Sequence, residues 1–174
     1  MHDVCTWSPK TKALKGQNPK LKRVMPQSLS KVYTHITFST KHRKKLIDDQ
    51  IENDLYNYIG GICKDLECNP IQVGGHKNHV HILCILSRKI PQMKLLQEVK
   101  QGSSKWIKTK GERYANFYWQ DGYGIFSVSP RGVNSVIEYI KNQHVHHRKR
   151  SFKDEFRMFL ENYGVDFDER YVWD

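Results

Sequence analysis

The chain has 174 residues, which is long enough for one domain with a substantial core but short for two. It carries 29 lysines and arginines against 18 aspartates and glutamates, a formal charge of +11, and this excess favours a polyanionic partner, above all nucleic acid. No apolar run approaches the roughly 20 residues of a spanning helix, and no signal segment opens the chain, so we predict a cytoplasmic protein without membrane contact.

The two ends of the chain differ in composition from its middle. Residues 1–28 combine lysines and arginines with prolines and show no helical or strand periodicity, so we expect a basic, loosely ordered arm. Residues 151–174 shift to an acidic and aromatic balance, with a short helix predicted from Phe152 to Tyr163 and a structural role expected. The predicted domain therefore spans residues 29–150.

The domain begins with a strand and a helix. Residues 30–39 alternate in character, with Ile36 on an apolar side and His35 on the other. A short basic loop follows over residues 40–45. Asp48 then opens a helix whose apolar residues recur at intervals of three and four. One face of this strand and one face of this helix are thus assigned to the core.

The remaining strands and the second helix complete the order of elements of a known fold. Residues 70–73 begin a second strand, and residues 79–86 form a third after a pair of glycines. A second helix covers about residues 91–109, and residues 118–128 predict a fourth strand that bends at its glycines. The order β-α-β-β-α-β is the split βαβ arrangement of ferredoxin-like domains. We therefore predict an α+β fold, an antiparallel sheet with helices on one face and the other face free.

The third strand carries two histidines on one face. Residues two apart on a strand point the same way, so His79 and His81 share a face while Val80 and Ile82 point to the other. The two backbone positions are roughly 7 Å apart, which lets two imidazole nitrogens converge on one metal ion. The alternative is that both are ordinary polar residues at a half-exposed strand end.

A further helix, from about residue 130 to residue 147, follows the last strand. Its apolar residues form one stripe, and Tyr139 and Gln143, which are one turn apart, lie together off the centre of that stripe. Alone, such a pair is more often part of the surface than part of a site. The significance of Tyr139 and Gln143 changes when they are considered together with His79 and His81.

A His-x-His strand combined with a later Tyr-x-x-x-Gln helix resembles the single-tyrosine HUH transposases of the insertion-sequence-200/605 type. Further segments resemble the opening strand and basic turn of that family, its second-helix motif and its last-strand motif. In chain order they are Val32–Arg43, Gln101-Gly102-Ser103-Ser104 and Trp119-Gln120-Asp121-Gly122-Tyr123. The resemblance covers roughly residues 29–150, with the tyrosine on an added C-terminal helix.

The resemblance implies a metal-dependent transposase. His79, His81 and Gln143 would bind a divalent cation, Mg²⁺ or Mn²⁺, and their neutrality leaves its charge available to polarise a phosphate. Tyr139 would attack the scissile phosphate to give a 5′-phosphotyrosine link, which a 3′-hydroxyl later attacks to rejoin strands. The sequence does not identify the group that deprotonates Tyr139.

The resemblance also implies the partners. The expected substrate is single-stranded DNA bearing an imperfect hairpin near the ends of the element, and the expected assembly is a homodimer with composite active sites. Base stacking is expected from whichever of Tyr33, Trp106, Tyr118 and Trp119 are exposed. Backbone contacts are predicted for a set of basic side chains: Lys41, Arg43, Lys44, Lys45, Lys105, Arg148, Lys149 and Arg150.

Five more histidines carry weaker expectations. We interpret His144, His146 and His147 as a basic, phosphate-facing helix end, which the helix dipole favours. His35 and His76 are expected to be ordinary strand and turn residues, although each is placed to support the site.

Two other classes of function remain open. A two-histidine phosphoesterase needs two His-x-Thr/Ser elements, and His35-Ile36-Thr37 provides one, but His79-Val80-His81 has a histidine where the second needs a hydroxyl. A non-catalytic module of ferredoxin-like fold that binds RNA or single-stranded DNA carries paired aromatic residues on its middle strands. The third strand here has only aliphatic residues around its histidines.

Overall fold

The structure, a computed structural model, describes residues 28–173. The predicted basic arm lies outside this range except for its last residue. The strands are β1 (Tyr33–Ser39), β2 (Asn69–His76), β3 (His79–Ile85) and β4 (Gly124–Val128). The helices are α1 (Glu52–Asp65), α2 (Gln92–Lys108), α3 (Val133–Lys141), α4 (Gln143–His146) and α5 (Phe152–Asn162). None of the helices between residues 28 and 173 has the length and apolarity needed to cross a membrane.

The four strands form one antiparallel sheet in the order β2-β3-β1-β4. The central strands β1 and β3 pair Ile36 with Ile82 and Ser39 with His79. This is the strand order of the split βαβ arrangement, so the predicted α+β, ferredoxin-like fold is confirmed.

An aliphatic core lies on one face of the sheet, beneath α1 and α2. Ile36 and Ile82 of the central strands belong to the same buried cluster as Leu55 of α1 and Leu95 of α2, and none of the four has exposed surface. Burial of one such side chain contributes roughly 1.5–3 kcal/mol to folding. The alternation in the strands and the three- and four-residue spacing in the helices predict these faces correctly.

The second face of the sheet, which we expected to be free, is covered by α3, α4 and α5. Phe126 of β4 packs there in a separate apolar cluster. Ser151 and Asp154 start α5 with a capping box, in which each side chain accepts a hydrogen bond from the backbone N–H of the other. Such a cap contributes about 1 kcal/mol. The α5 members of the cluster recur at every fourth position: Phe152, Phe156 and Leu160.

The fourth strand is shorter than residues 118–128, because β4 begins only at Gly124. The Lys100 ammonium group donates to the backbone carbonyls of residues 120, 121 and 122 at 2.9, 3.0 and 2.7 Å. These carbonyls therefore bond to a side chain and not to a neighbouring strand. The segment still follows the end of β1, where Trp119 forms a single bridge with Thr40.

The helix predicted over residues 130–147 is divided into three parts. A 3-10 turn, Pro130–Gly132, precedes α3, and Asn142 separates α3 from α4 with φ −93° and ψ 15°. Tyr139 and Gln143 therefore belong to two successive helices, although both still face the sheet.

Candidate metal centre and tyrosine site

The histidine pair of β3 forms the base of the site. His79 and His81 share one face as predicted, have no exposed surface, and place their ring centroids 5.1 Å apart. From β1, His35 Nε2 approaches His81 Nδ1 to 2.9 Å. Burial and the neighbouring His81 lower the pKa of His35 to about 3, so its ring is neutral at physiological pH. His35 thus contacts the His81 ring at Nδ1 and leaves the Nε2 atom of His81 directed towards the site.

A glycine on β2 lets the tyrosine helix approach this base. Gly74 pairs with His81 across the two strands. A Cβ atom on Gly74 would lie 2.8 Å from Ile140 Cγ2 and 3.2 Å from the Ile140 carbonyl oxygen of α3. Close contact between a strand and a helix backbone at this point requires glycine. The adjacent residue, Tyr139, then lies with its ring centroid 5.8 Å from that of His81.

The hydrogen bonds around His79 leave one of its nitrogens facing an oxygen. Asn78 Nδ2 donates to the Arg43 carbonyl at 3.2 Å, so Asn78 Oδ1 accepts the proton of His79 Nδ1 at 2.8 Å. Burial lowers the pKa of His79 well below its usual value, and its Nε2 therefore carries no proton. This Nε2 lies 3.1 Å from Gln143 Oε1. Two acceptors face one another, an arrangement that a cation between them stabilises.

A fourth polar group, Glu155 of α5, enters the site and was missed by the sequence analysis. Its carboxylate has no exposed surface. Oε1 accepts hydrogen bonds from the Tyr139 hydroxyl and, at 2.9 Å, from Gln143 Nε2, which fixes the orientation of the Gln143 amide. Oε2 lies 3.4 Å from His81 Nε2 and 3.7 Å from His79 Nε2. One carboxylate therefore contacts every side chain predicted for the site.

The unpaired atoms of this cluster fit a divalent cation. Among the described residues, His81 Nε2 and Glu155 Oε2 are buried without a hydrogen-bond partner, at a cost of roughly 1–3 kcal/mol each. One ligand atom from each of His79, His81 and Glu155 lies within 4.8 Å of the others. Burial alone would raise the pKa of Glu155, but the surrounding imidazoles hold it below its usual value, so the carboxylate is ionised. Two imidazole nitrogens, one carboxylate oxygen and one amide oxygen are a donor set suited to Mn²⁺ or Mg²⁺.

The Tyr139 hydroxyl belongs to the same cluster. It donates to Glu155 Oε1, and its ring makes edge contacts with His35 and His81 at centroid distances of 6.1 and 5.8 Å. Burial and the negative charge of Glu155 raise the pKa of Tyr139 above its usual value. The phenol is therefore protonated at neutral pH, with an acceptor for its proton in contact.

Two of the three histidines at the end of α4 face the site and not the solvent. His147 Nε2 lies 3.3 Å from Glu155 Oε2, and His146 Nε2, which is buried, lies 3.9 Å from Glu155 Oε1. The predicted phosphate-facing orientation is wrong for these two, because α5 places a buried carboxylate beside the end of α4. His144 is exposed, and its Nε2 lies 3.0 Å from Glu52 Oε2 of α1.

Comparison with known proteins identifies the family. A family model described as "Transposase IS200 like" matches residues 28–143, which is more than half of the chain. The chain belongs to the IS200-like transposase family. The family resemblance inferred from the sequence motifs is thereby confirmed. The match ends at Gln143, so α5 and Glu155 follow the matched residues. A comparison with curated proteins gives no match.

Two solved structures are similar to this transposase in fold. A protein from Deinococcus radiodurans R1 assigned as a transposase is 17% identical, with a TM-score of 0.54 and coverage of 70% of this chain and 97% of the other. A REP-associated tyrosine transposase bound to a REP hairpin is 15% identical, with a TM-score of 0.53 and coverage of 73% and 74%. At these identities the likeness shows the fold alone.

The basic side chains predicted to contact DNA occupy different settings in the transposase. Arg43 Nη1 donates to the Trp173 carbonyl at 2.9 Å, so it ties the C-terminal segment to the loop after β1. Lys41 Nζ lies 3.5 Å from Asp121 Oδ2. The others are exposed, and their contact with DNA stays a prediction: Lys44, Lys45, Lys105, Arg148, Lys149 and Arg150.

Proposed function

We propose that the protein is a metal-dependent transposase that nicks and rejoins single-stranded DNA at hairpin-bearing ends through a 5′-phosphotyrosine intermediate. The observation that supports it most directly is the convergence of Tyr139 with His79, His81 and Gln143 around one buried carboxylate. Family membership supports the reaction class. The bound hairpin of the similar REP-associated transposase supports the substrate.

In this proposal the cation is held by His79 Nε2, His81 Nε2, Gln143 Oε1 and Glu155 Oε2. When bound, Mg²⁺ or Mn²⁺ supplies Lewis-acid polarisation of the scissile phosphate and stabilises negative charge on the leaving 3′ oxygen. His35 fixes the His81 ring and Asn78 fixes the His79 ring, as partners of metal-binding histidines commonly do. The residues thus orient the ligands before any substrate is present.

Tyr139 is the proposed nucleophile. Its phenol oxygen forms a bond to phosphorus while the bond between phosphorus and the 3′ oxygen breaks, and the leaving 3′ oxygen takes up a proton from water. The phenol proton has its nearest acceptor in Glu155 Oε1, with which Tyr139 is hydrogen bonded. Because the phosphotyrosine is itself a diester, a 3′-hydroxyl can attack it and rejoin the strand without a nucleotide cofactor.

The proposed cation ligands are closed off from solvent in this structure. His79, His81, Gln143 and Glu155 have no exposed surface, and Glu155 contacts the hydroxyl that must reach the phosphate. A DNA strand therefore reaches the cation ligands only after a local rearrangement of the segments that cover them. A homodimer, which the family resemblance implies, stays a prediction. Composite active sites are not required by the arrangement described here, because the whole set of side chains is gathered from a single chain.

The test is covalent capture of DNA. The full chain is incubated with a labelled single strand that forms a hairpin, with Mn²⁺, with Mg²⁺ or with a chelator, and the adduct is measured by denaturing electrophoresis. We expect a metal-dependent adduct that Tyr139→Phe reduces by at least about 1,000-fold, because phenylalanine has no nucleophilic oxygen.

Tyr171→Phe is the matched control, since Tyr171 is an exposed tyrosine of the C-terminal segment and should leave the adduct unchanged. An adduct that survives Tyr139→Phe would refute the nucleophile. Retention of DNA without any adduct would favour a binding module, and a released product without an adduct would favour a phosphoesterase.

A further inference from the structure

An exposed tyrosine separates two cavities away from the metal centre. Tyr118 is 55% exposed, whereas Trp119 beside it is only 6% exposed and donates its indole N–H to Ser103. Trp106 stacks on Tyr58 with a centroid distance of 4.9 Å. Of the four aromatic residues considered for base stacking, Tyr118 is the most exposed, since Tyr33 and Trp106 are half-buried and Trp119 is buried.

Both of the cavities that Tyr118 lines contain basic side chains. The first has a volume of about 400 Å³ and lies against α2, where its cationic side chains are Lys100, Lys105 and Lys108. The second has a volume of about 290 Å³ and lies against the loop after β1, where its basic side chains are Lys41, His42 and Lys44. Within residues 28–173, the one acidic residue in the linings of these two cavities is Asp121.

The lysines that line the two cavities make different contacts. Lys100 donates to three backbone carbonyls and so shapes the loop, while Lys105 and Lys44 are exposed. Lys108 Nζ lies 3.6 Å from the centroid of the Tyr118 ring, a cation–π contact. Lys108 lines the first cavity and not the second, whereas Tyr118 lines both.

We propose that Tyr118 and its surrounding lysines form a binding site for an unpaired nucleotide of single-stranded DNA. The base stacks on the Tyr118 ring, and the phosphates on either side contact Lys105 and Lys44. A flat apolar ring between two cationic cavities matches a nucleotide, which has a flat base and flanking negative charges. The choice of DNA rests on the proposed transposase function, but the site shares no residue with the metal centre.

The strand register connects this site to the metal centre. The Lys41 backbone N–H donates to the Tyr118 carbonyl at 2.7 Å, and the Gln120 N–H donates to the Ser39 carbonyl at 2.9 Å. Ser39 pairs with His79 in the sheet. The Tyr118 site therefore lies at the end of the sheet where β3 begins with His79.

The test measures binding without cleavage. Fluorescence anisotropy is recorded with the full chain carrying Tyr139→Phe and a labelled oligothymidine of about 16 nucleotides, a length that covers one site of this kind. Adding Tyr118→Ala should raise Kd roughly 5- to 150-fold, the usual effect of losing one stacking contact. Tyr118→Trp should restore binding, since tryptophan keeps a flat ring.

Three controls make the result specific. Tyr171→Ala removes an equally exposed tyrosine elsewhere and should leave Kd unchanged. A DNA duplex of the same length keeps its bases stacked internally, so its Kd should not respond to Tyr118→Ala. Lys105→Gln should reduce the slope of log K against log salt by about 0.7, whereas Lys64→Gln, at an exposed lysine of α1, should not.

Equal binding by Tyr118→Ala and the parent chain would overturn the proposal, as would an equal loss in duplex binding. These outcomes are independent of the adduct test. A chain that forms no adduct but loses single-strand affinity through Tyr118→Ala still has this site, and a chain that forms the adduct without that loss does not.

Discussion

The two faces of the sheet belong to the same strands but are packed through different kinds of side chain. On the α1 and α2 face, Ile36 and Ile82 are buried among aliphatic side chains that have no polar requirement. On the other face, His35 and His81 are almost as deeply buried, but their polar atoms depend on each other and on Glu155 of α5. Stability on the first face therefore comes from burial of apolar area, whereas the part of the second face around the histidines also requires correct pairing of a few polar atoms.

The largest effect on folding is expected on the apolar face. Leu55→Ala removes a fully buried side chain of α1 and should lower the free energy of unfolding by about 2–5 kcal/mol, measured by urea denaturation. Asn57→Ala, at an exposed position of the same helix, is the control and should change it by less than about 0.5 kcal/mol. If both substitutions had the same effect, the aliphatic face would not be the main source of stability.

On the polar face, Glu155→Gln tests the carboxylate as a cation ligand. The substitution keeps the shape of the side chain but removes its charge, so the affinity for Mn²⁺, measured by isothermal titration calorimetry, should fall about 10- to 100-fold. Glu161→Gln changes an exposed carboxylate on the same helix and should leave the affinity unchanged. An unchanged affinity in Glu155→Gln would limit the ligands to His79, His81 and Gln143.

The polar face should also make the fold sensitive to acid. Burial and His81 lower the pKa of His35 to about 3, whereas in the unfolded chain it titrates near 6.5. Below pH 6.5 the unfolded state therefore binds a proton that the folded state does not, and stability should fall as pH decreases towards 3. His35 by itself contributes at most about 1.4 kcal/mol per pH unit to this slope.

This slope is measured from thermal unfolding between pH 7 and pH 4. His35→Asn should flatten it, whereas His42→Asn, at an exposed histidine, should leave it as in the parent chain. A parent chain whose unfolding temperature does not change over this range would exclude His35 as a source of acid sensitivity.

The smallest expected signal comes from mixing two inactive variants. Because Tyr139 and the histidines are gathered within one chain, Tyr139→Phe mixed with His81→Ala should form no more adduct than either alone. Recovery of the adduct in the mixture would show that the tyrosine of one subunit serves the histidines of another, as in the composite homodimer. Each variant mixed with the parent chain provides the reference level.

The contrast between the faces also explains what the sequence can predict. Alternation in β1 and β3 and the helical spacing in α1 and α2 are local patterns, and they predict the fold and the shared face of His79 and His81. The structure brings together the four motif residues, which are His79, His81, Tyr139 and Gln143. Local patterns do not say what covers the second face, because that depends on contacts between distant segments.

Glu155 illustrates this limit. It follows the part of the chain that the family model matches, and the C-terminal segment was expected to be structural only. A signal was nevertheless present, since a carboxylate next to the apolar stripe of Phe152, Phe156 and Leu160 must be either paired or costly to bury. The inward direction of His146 and His147 follows from the same carboxylate and was missed for the same reason.

The position of the nucleophile depends on an absent methyl group. Gly74 leaves so little clearance beneath Ile140 that an alanine there must displace Ile140, the neighbour of Tyr139, away from the sheet. Such a shift would change the alignment of the phenol with its proton acceptor while every reacting atom kept its normal chemistry. Alignment in this transposase is therefore decided by backbone clearance at a position that takes no part in bonding to substrate or ion.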